Sequence, residues 1–276
     1  MITCVSLVLG FKSSSNLAGA YGIAVTGTMI VTTVLFHVCM RERWQWSLAR
    51  VGTIVASFLL FDVAFFTANL PKIVDGGWFP LVVGLMVFTI LTTWKRGRGE
   101  LARMLTEESL PLNLFLRDLA VQQPYRVQGT AIVMTSTPKG VPPVLLHHLK
   151  HNRTLHRRVV LLSITSEKRP EFDDQERVEI SDLGQGFYRV VAHFGFIETP
   201  RIRLVLALCE AKGLVFDIAS TTFVLGRETL LPSGRSRMAR WRKRLYGFLA
   251  RNAPSATAYF EIPPTRVIEL GAQIEL

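Results

Sequence analysis

LAGAYGIAVTGTMIVTTVLFHVCM (Leu17–Met40), VGTIVASFLLFDVAFFTAN (Val51–Asn69) and WFPLVVGLMVFTILTTW (Trp78–Trp94) are three apolar segments within fewer than 80 residues. Each is close to the roughly 20 residues that a helix needs to cross about 30 Å of hydrocarbon. Soluble core helices of this length carry a polar face; these segments do not. The first third of the chain therefore reads as an integral membrane segment.

Working outward, the charge pattern changes at Trp94. Between Met1 and Trp94 only eight side chains are charged: Lys12, Arg41, Arg43, Arg50 and Lys72 against Glu42, Asp62 and Asp75. They contribute +2 of the formal +11, so +9 lies beyond Trp94. The mean hydropathy of +0.29 averages two different kinds of text. A transmembrane domain over residues 1–94 and an α/β domain over residues 95–276 are expected. A basic domain beside a membrane suits an anionic leaflet. Nucleic acid is not expected as a partner.

Cys4, Cys39 and Cys209 are far apart, with no CxxC spacing, so no disulfide framework is indicated. The stretch from Ile2 to Phe11 is apolar but too short to span, and it lacks a signal peptide's basic region and cleavage site. It reads as the end of a further membrane helix (a partial span, 1–11). On that reading the chain is a fragment of a longer protein.

The loop MRERWQWSLAR carries Arg41, Arg43 and Arg50, and the exit KRGRGELAR carries Lys95, Arg96, Arg98 and Arg103. The other two connections hold one Lys each. The positive-inside rule places the arginine-rich stretches, and with them the C-terminal domain, in the cytoplasm. Trp78 and Trp94 lie roughly 24 Å apart along a helix, near the spacing of two interfacial aromatic belts.

The C-terminal text predicts a charged helix over Glu100–Asp118, a buried strand over Gly129–Ser136, a helix over Pro142–Asn152 and a second buried strand over Val159–Thr165. RVEIS and FYRVVAHFG alternate as paired strands, Pro200–Lys212 reads as a helix ended by Gly213, and TTFVLG as a strand. The order implies a small sheet covered by helices.

Asp62 is the one ionisable residue deep in a span. It precedes Asn69 by seven residues, so it lies roughly 10 Å from the segment end. An intramembrane carboxylate is a candidate ion ligand or proton relay; the alternative is a structural hydrogen bond. Gly19, Ala20, Gly22, Ala24 and Gly27, with Thr26 and Thr28, allow close helix packing or border a polar pathway.

His147, His148, His151 and His156 fall within ten residues, but no Cys or acidic residue completes a zinc set nearby, and no metal site is expected. Ser236–Asn252 reads as a basic amphipathic helix. Met238, Trp241, Leu245, Phe248 and Leu249 share one face, which rests either on its own domain or on a membrane. There is no P-loop, no nucleophile elbow and no complete dinucleotide fingerprint, so no enzyme, no catalytic residue and no cofactor are expected.

FKSSSNLAGAYGIAVTGTM (Phe11–Met29), FTANLPKIVDGGWFPL (Phe66–Leu81), TTWKRGR (Thr92–Arg98), LKHNRTLHRRVVLL (Leu149–Leu162) and FEIPPTRVIELGAQIEL (Phe260–Leu276) resemble the bacterial Kup (KUP/HAK/KT) potassium-uptake family. The resemblance runs over essentially the whole chain. It implies the last membrane helices of a leucine-transporter-type bundle followed by a cytoplasmic domain, in a multi-pass protein of the bacterial inner membrane. The implied function is potassium import together with protons. The family's potassium site lies largely on N-terminal helices with no counterpart here. Asp62 falls where the family has a matching carboxylate in its penultimate helix.

The expected partners are the lipid bilayer and the remaining N-terminal helices of the transporter, with a homodimer as an open option. A different class of function is a membrane-tethered regulatory module whose cytoplasmic domain senses a small ligand such as a nucleotide.

Overall fold

The computed structural model describes residues 5, 10–11, 13–107, 109–136, 140–231, 233 and 236–275. Most of the proposed partial span, and Cys4 with it, lies outside the described residues. The chain divides into two compact units, Met1–Thr92 and Thr93–Leu276.

In the first unit each quoted apolar segment lies within a helix: α1 (Ser14–Glu42), α2 (Leu48–Asn69) and α3 (Trp78–Glu107). All three are long and apolar enough to cross a membrane. In hydrocarbon only such internally bonded backbone is tolerated. The Ser13 hydroxyl caps α1 by accepting from the Ser15 N–H at 3.2 Å. The α1–α2 turn is held by Arg41, whose Nη1 donates to the Trp46 carbonyl at 2.7 Å.

The stripe of small residues on α1 serves packing. A Cβ on Gly22 would lie 2.6 Å from Asn69 Oδ1, and one on Gly19 would lie 3.3 Å from Lys72 Cβ. The hydroxyls of Thr26 and Thr28 donate back to the carbonyls of Gly22 and Ala24 on their own helix. The two helices are antiparallel, Gly22 standing beside Asn69 and Thr33 beside Asp62.

The expected single helix over Glu100–Asp118 is corrected. α3 runs on to Glu107, and a new helix, α4 (Leu112–Gln122), starts after Pro111. Proline at a helix start needs no N–H partner, whereas inside a helix it would break one.

In the second unit the elements after α4 are β1 (Tyr125–Thr135), α5 (Pro143–Asn152), β2 (Thr154–Glu167), β3 (Val178–Gly184), β4 (Phe187–Gly195), α6 (Ile202–Ala211), β5 (Thr221–Leu231), α7 (Arg240–Arg251), a one-turn α8 (Ala256–Tyr259) and β6 (Val267–Glu275). They form one six-stranded sheet in the order β3-β4-β2-β1-β5-β6. Only β3 is antiparallel, paired with β4 as the alternation of both segments predicts. The apolar runs in β1 and β2 bury both faces, as parallel strands do between two layers of helices.

Ile132, Val160, Leu162, Val190 and Phe223 point to one side, against Ile202, Val205 and Cys209 of α6. Ala131, Val133, Val159, Leu161 and Val224 point to the other, against Phe115 and Leu119 of α4 and Leu145 of α5. The edge strand β6 carries no clear sequence signal, because most of its side chains remain partly or fully exposed.

The parallel strands reverse direction of growth at β1. The chain steps outward through α5 to β2 and β4, then returns through α6 to β5 on the other side of β1. In such sheets the crevice at the strands' carboxyl ends, at this reversal, is the usual ligand position.

Candidate functional site: an intramembrane carboxylate

The pitch of α2 turns Asp62, the helix's one acidic residue, toward α1, where it is 4% exposed. The Thr33 hydroxyl, itself buried, donates to Asp62 Oδ2 at 2.5 Å. A carboxylate has about four acceptor positions, and Thr33 fills one. Beside the pair lies an open groove of about 580 Å³, lined by Tyr21, Val25, Thr28, Phe36 and Phe58 with Thr33 and Asp62. The arrangement gives a carboxylate a fixed donor on one side and an open, mostly apolar space on the other. Chemically it suits a group that takes up and releases a proton or contacts a cation.

The sequence singles out Asp62 by its charge. It does not single out Thr33, one of several threonines in α1, because nothing local reveals a partner 29 residues away.

The histidines lie in two neighbouring pairs, His147 with His151 and His148 with His156. The rings of His147 and His151 are 6.4 Å apart on α5, and His148 is buried, its Nδ1 3.1 Å from Asn152 Nδ2. Burial holds the His148 and His156 imidazoles below their ordinary range, and in His156 the neighbouring His148 adds to the effect. Among the described residues no group of three or more His, Cys, Asp or Glu is arranged to hold a metal ion.

A cavity of about 440 Å³ opens at the carboxyl ends of the sheet where its growth reverses. Its walls include Ser136 at the end of β1, Pro143 at the start of α5, His147, Glu228 of β5, and Arg98 and Ser109 from the stretch before β1. Desolvation by the surrounding protein holds the Glu228 carboxyl above the ordinary carboxylate range, and the Arg98 charge opposes that shift.

These features define a polytopic membrane protein with an appended α/β unit and a buried carboxylate in its helical part. Residues 1–99 match the model of the K+ potassium transporter integral membrane domain, and residues 128–276 match that of the K+ potassium transporter C-terminal domain. The chain belongs to the K+ potassium transporter family.

It is 54% identical over 277 residues to a protein of Anaeromyxobacter sp. (strain Fw109-5) named "Probable potassium transport system protein Kup", covering 99% of this chain and 42% of that one. It is 53% identical to a protein of the same name from Myxococcus xanthus (strain DK1622), over 100% of this chain and 42% of the relative. A Syntrophobacter fumaroxidans (strain DSM 10017 / MPOB) relative, named as Kup 2, is 52% identical over 100% of this chain and 43% of its own length. The chain thus spans less than half the length of these curated relatives.

Removing the Thr33 donor leaves a buried carboxylate with an unmade bond. Thr33→Val is expected to lower the stability of the α1–α2 pair by about 0.5–2 kcal/mol, read as the midpoint of detergent-titration unfolding. Thr33→Ser is expected to retain it. An unchanged midpoint in Thr33→Val would show that the bond contributes nothing.

Proposed function

We propose that this chain forms part of a potassium importer that couples potassium entry to proton entry. The observation that carries the reading is Asp62, an almost fully buried carboxylate in a span, bonded to Thr33 and facing a groove. Family membership and the potassium transport named for its relatives support extending that cargo to this chain. Asp62 is the candidate proton carrier or ion contact, since ionisable groups at this depth are retained where they face a pathway.

Transporters built from inverted repeats hold substrate near the midplane, between repeats. Three spans do not enclose such a site, so the transport activity requires further helices, in keeping with the leucine-transporter-type bundle that the resemblance implies. The proposed location is the bacterial inner membrane. The arginine-rich α1–α2 turn and everything beyond Lys95 lie on the cytoplasmic side, by the positive-inside rule.

The test is uptake in a bacterial host that lacks its own potassium importers. A full-length transporter containing these residues is expected to rescue growth at limiting potassium and to alkalinise the medium as potassium enters. The 276-residue chain alone is expected to give no rescue. Potassium entry without proton movement would remove the coupling, and no entry at all in the full-length protein would remove the reading.

A second reading is favoured by the cavity at the reversal point of the sheet. Its volume falls within the roughly 300–1,000 Å³ of small-molecule sites. It combines apolar walls with Arg98, His147 and two serine hydroxyls. On this reading the α/β unit senses a small ligand such as a nucleotide and regulates transport. Calorimetric titration of adenine nucleotides into the detergent-solubilised chain is expected to give saturable binding that weakens in His147→Ala. No saturable heat with any of them would overturn the nucleotide reading.

A further inference from the structure

The basic helix does not lay its whole apolar face on its own domain, and this leaves a surface exposed. The set Met238, Trp241, Leu245, Phe248 and Leu249 is not the buried face. The helix α7 is buried instead along Lys243 and Tyr246, with Met238 just before it. Trp241 and Phe248, seven residues and two turns apart, are 54% and 56% exposed. Arg240, Arg244 and Arg251 are exposed on the same side. The Arg242 guanidinium lies over the Trp241 ring, 5.2 Å from its centroid. Between Glu228 and Glu261 the sequence has seven basic residues and no acidic one.

The buried side fixes where this helix sits. The Tyr246 ring packs edge-on to Trp94, with centroids 5.6 Å apart. It also fills the space over Gly97, leaving no room there for a Cβ. Residues 94–97 are those at which α3 leaves its apolar segment, and Trp94 is the aromatic that the sequence assigns to the interfacial belt. The helix α7 is therefore held beside the end of the apolar segment of α3.

We propose that α7 is an interfacial helix that docks on the anionic headgroups of the bilayer α3 spans. Trp241 and Phe248 enter the acyl boundary, and Arg240, Arg244 and Arg251 take the lipid phosphates. A tryptophan and a phenylalanine left in water between arginines are poorly placed for a soluble surface and well placed for a headgroup layer. Guanidinium forks match phosphate oxygens, and indole rings settle at that depth. The charge is complementary to anionic lipid, and no acidic residue on the segment opposes it.

The test uses the whole chain in lipid nanodiscs with a nitroxide at Phe248→Cys, in a Cys4→Ser/Cys39→Ser background. Cys209 is buried, with its thiol pushed up to about 11, and stays unlabelled. In discs containing phosphatidylglycerol the label is expected to be more accessible to oxygen than to a water-soluble nickel chelate. A label at the exposed Val121 is expected to show the reverse.

Each cation removed weakens anionic binding about fivefold, so Arg240→Gln/Arg244→Gln is expected to shift the docked population more than tenfold toward water. Arg240→Lys/Arg244→Lys is expected to stay docked, which separates lost charge from lost folding. A water-accessible label in the anionic discs would overturn the proposal. So would spin–spin broadening that disappears on dilution with unlabelled chain, because a second copy would then cover the face.

Discussion

In hydrocarbon there is no water to bond a stray polar group, so everything polar inside the first unit must find its partner within the protein. That constraint makes the three apolar segments helices. It sends the hydroxyls of Thr26 and Thr28 back to their own helix carbonyls. It also brings Thr33 to Asp62, where a carboxylate would otherwise stand unbonded. The small residues of α1 serve the same end by letting α2 approach closely enough for that bond to form. The bond ties α1 to α2, and the acid that accepts it is also the one ionisable carboxylate within these apolar segments. On the proposed reading, Asp62 is the residue at which folding and transport meet.

In the second unit the governing fact is that the central strands are apolar on both faces. Two layers of helices follow from it, and a sheet that grows first one way from β1 and then the other. The reversal leaves a crevice at the strand ends, and Arg98, His147 and Glu228 are among the residues that line it. The crevice is a consequence of topology, whereas its polar lining is a property of this sequence.

Much of this was legible in the residues. The spans announced themselves by length and lack of charge, the buried strands by runs such as AIVM and VVLLSI, and Asp62 by being the one acid in an apolar segment. What escaped was long-range or marginal. Thr33 gained its role from a residue 29 positions away. The strand β6 stays largely exposed along an edge and so lacks the apolar alternation of its neighbours. The break at Pro111 was hidden by continuous charge on either side of it. The sequence leaves open whether Trp241 and Phe248 rest on their own domain or on a membrane, and the structure leaves both exposed. Tyr246, a residue with a polar tip, had the better partner in Trp94 and Gly97.

The central claim is that Asp62 acts through its charge and not through its shape. Asp62→Asn in the full-length transporter keeps the size of the side chain and an oxygen to accept from Thr33, and removes the ionisable proton. Potassium uptake measured across external pH should then fall and lose its pH dependence. Uptake with an unchanged rate and an unchanged pH profile would contradict the account and leave Asp62 as a packing residue.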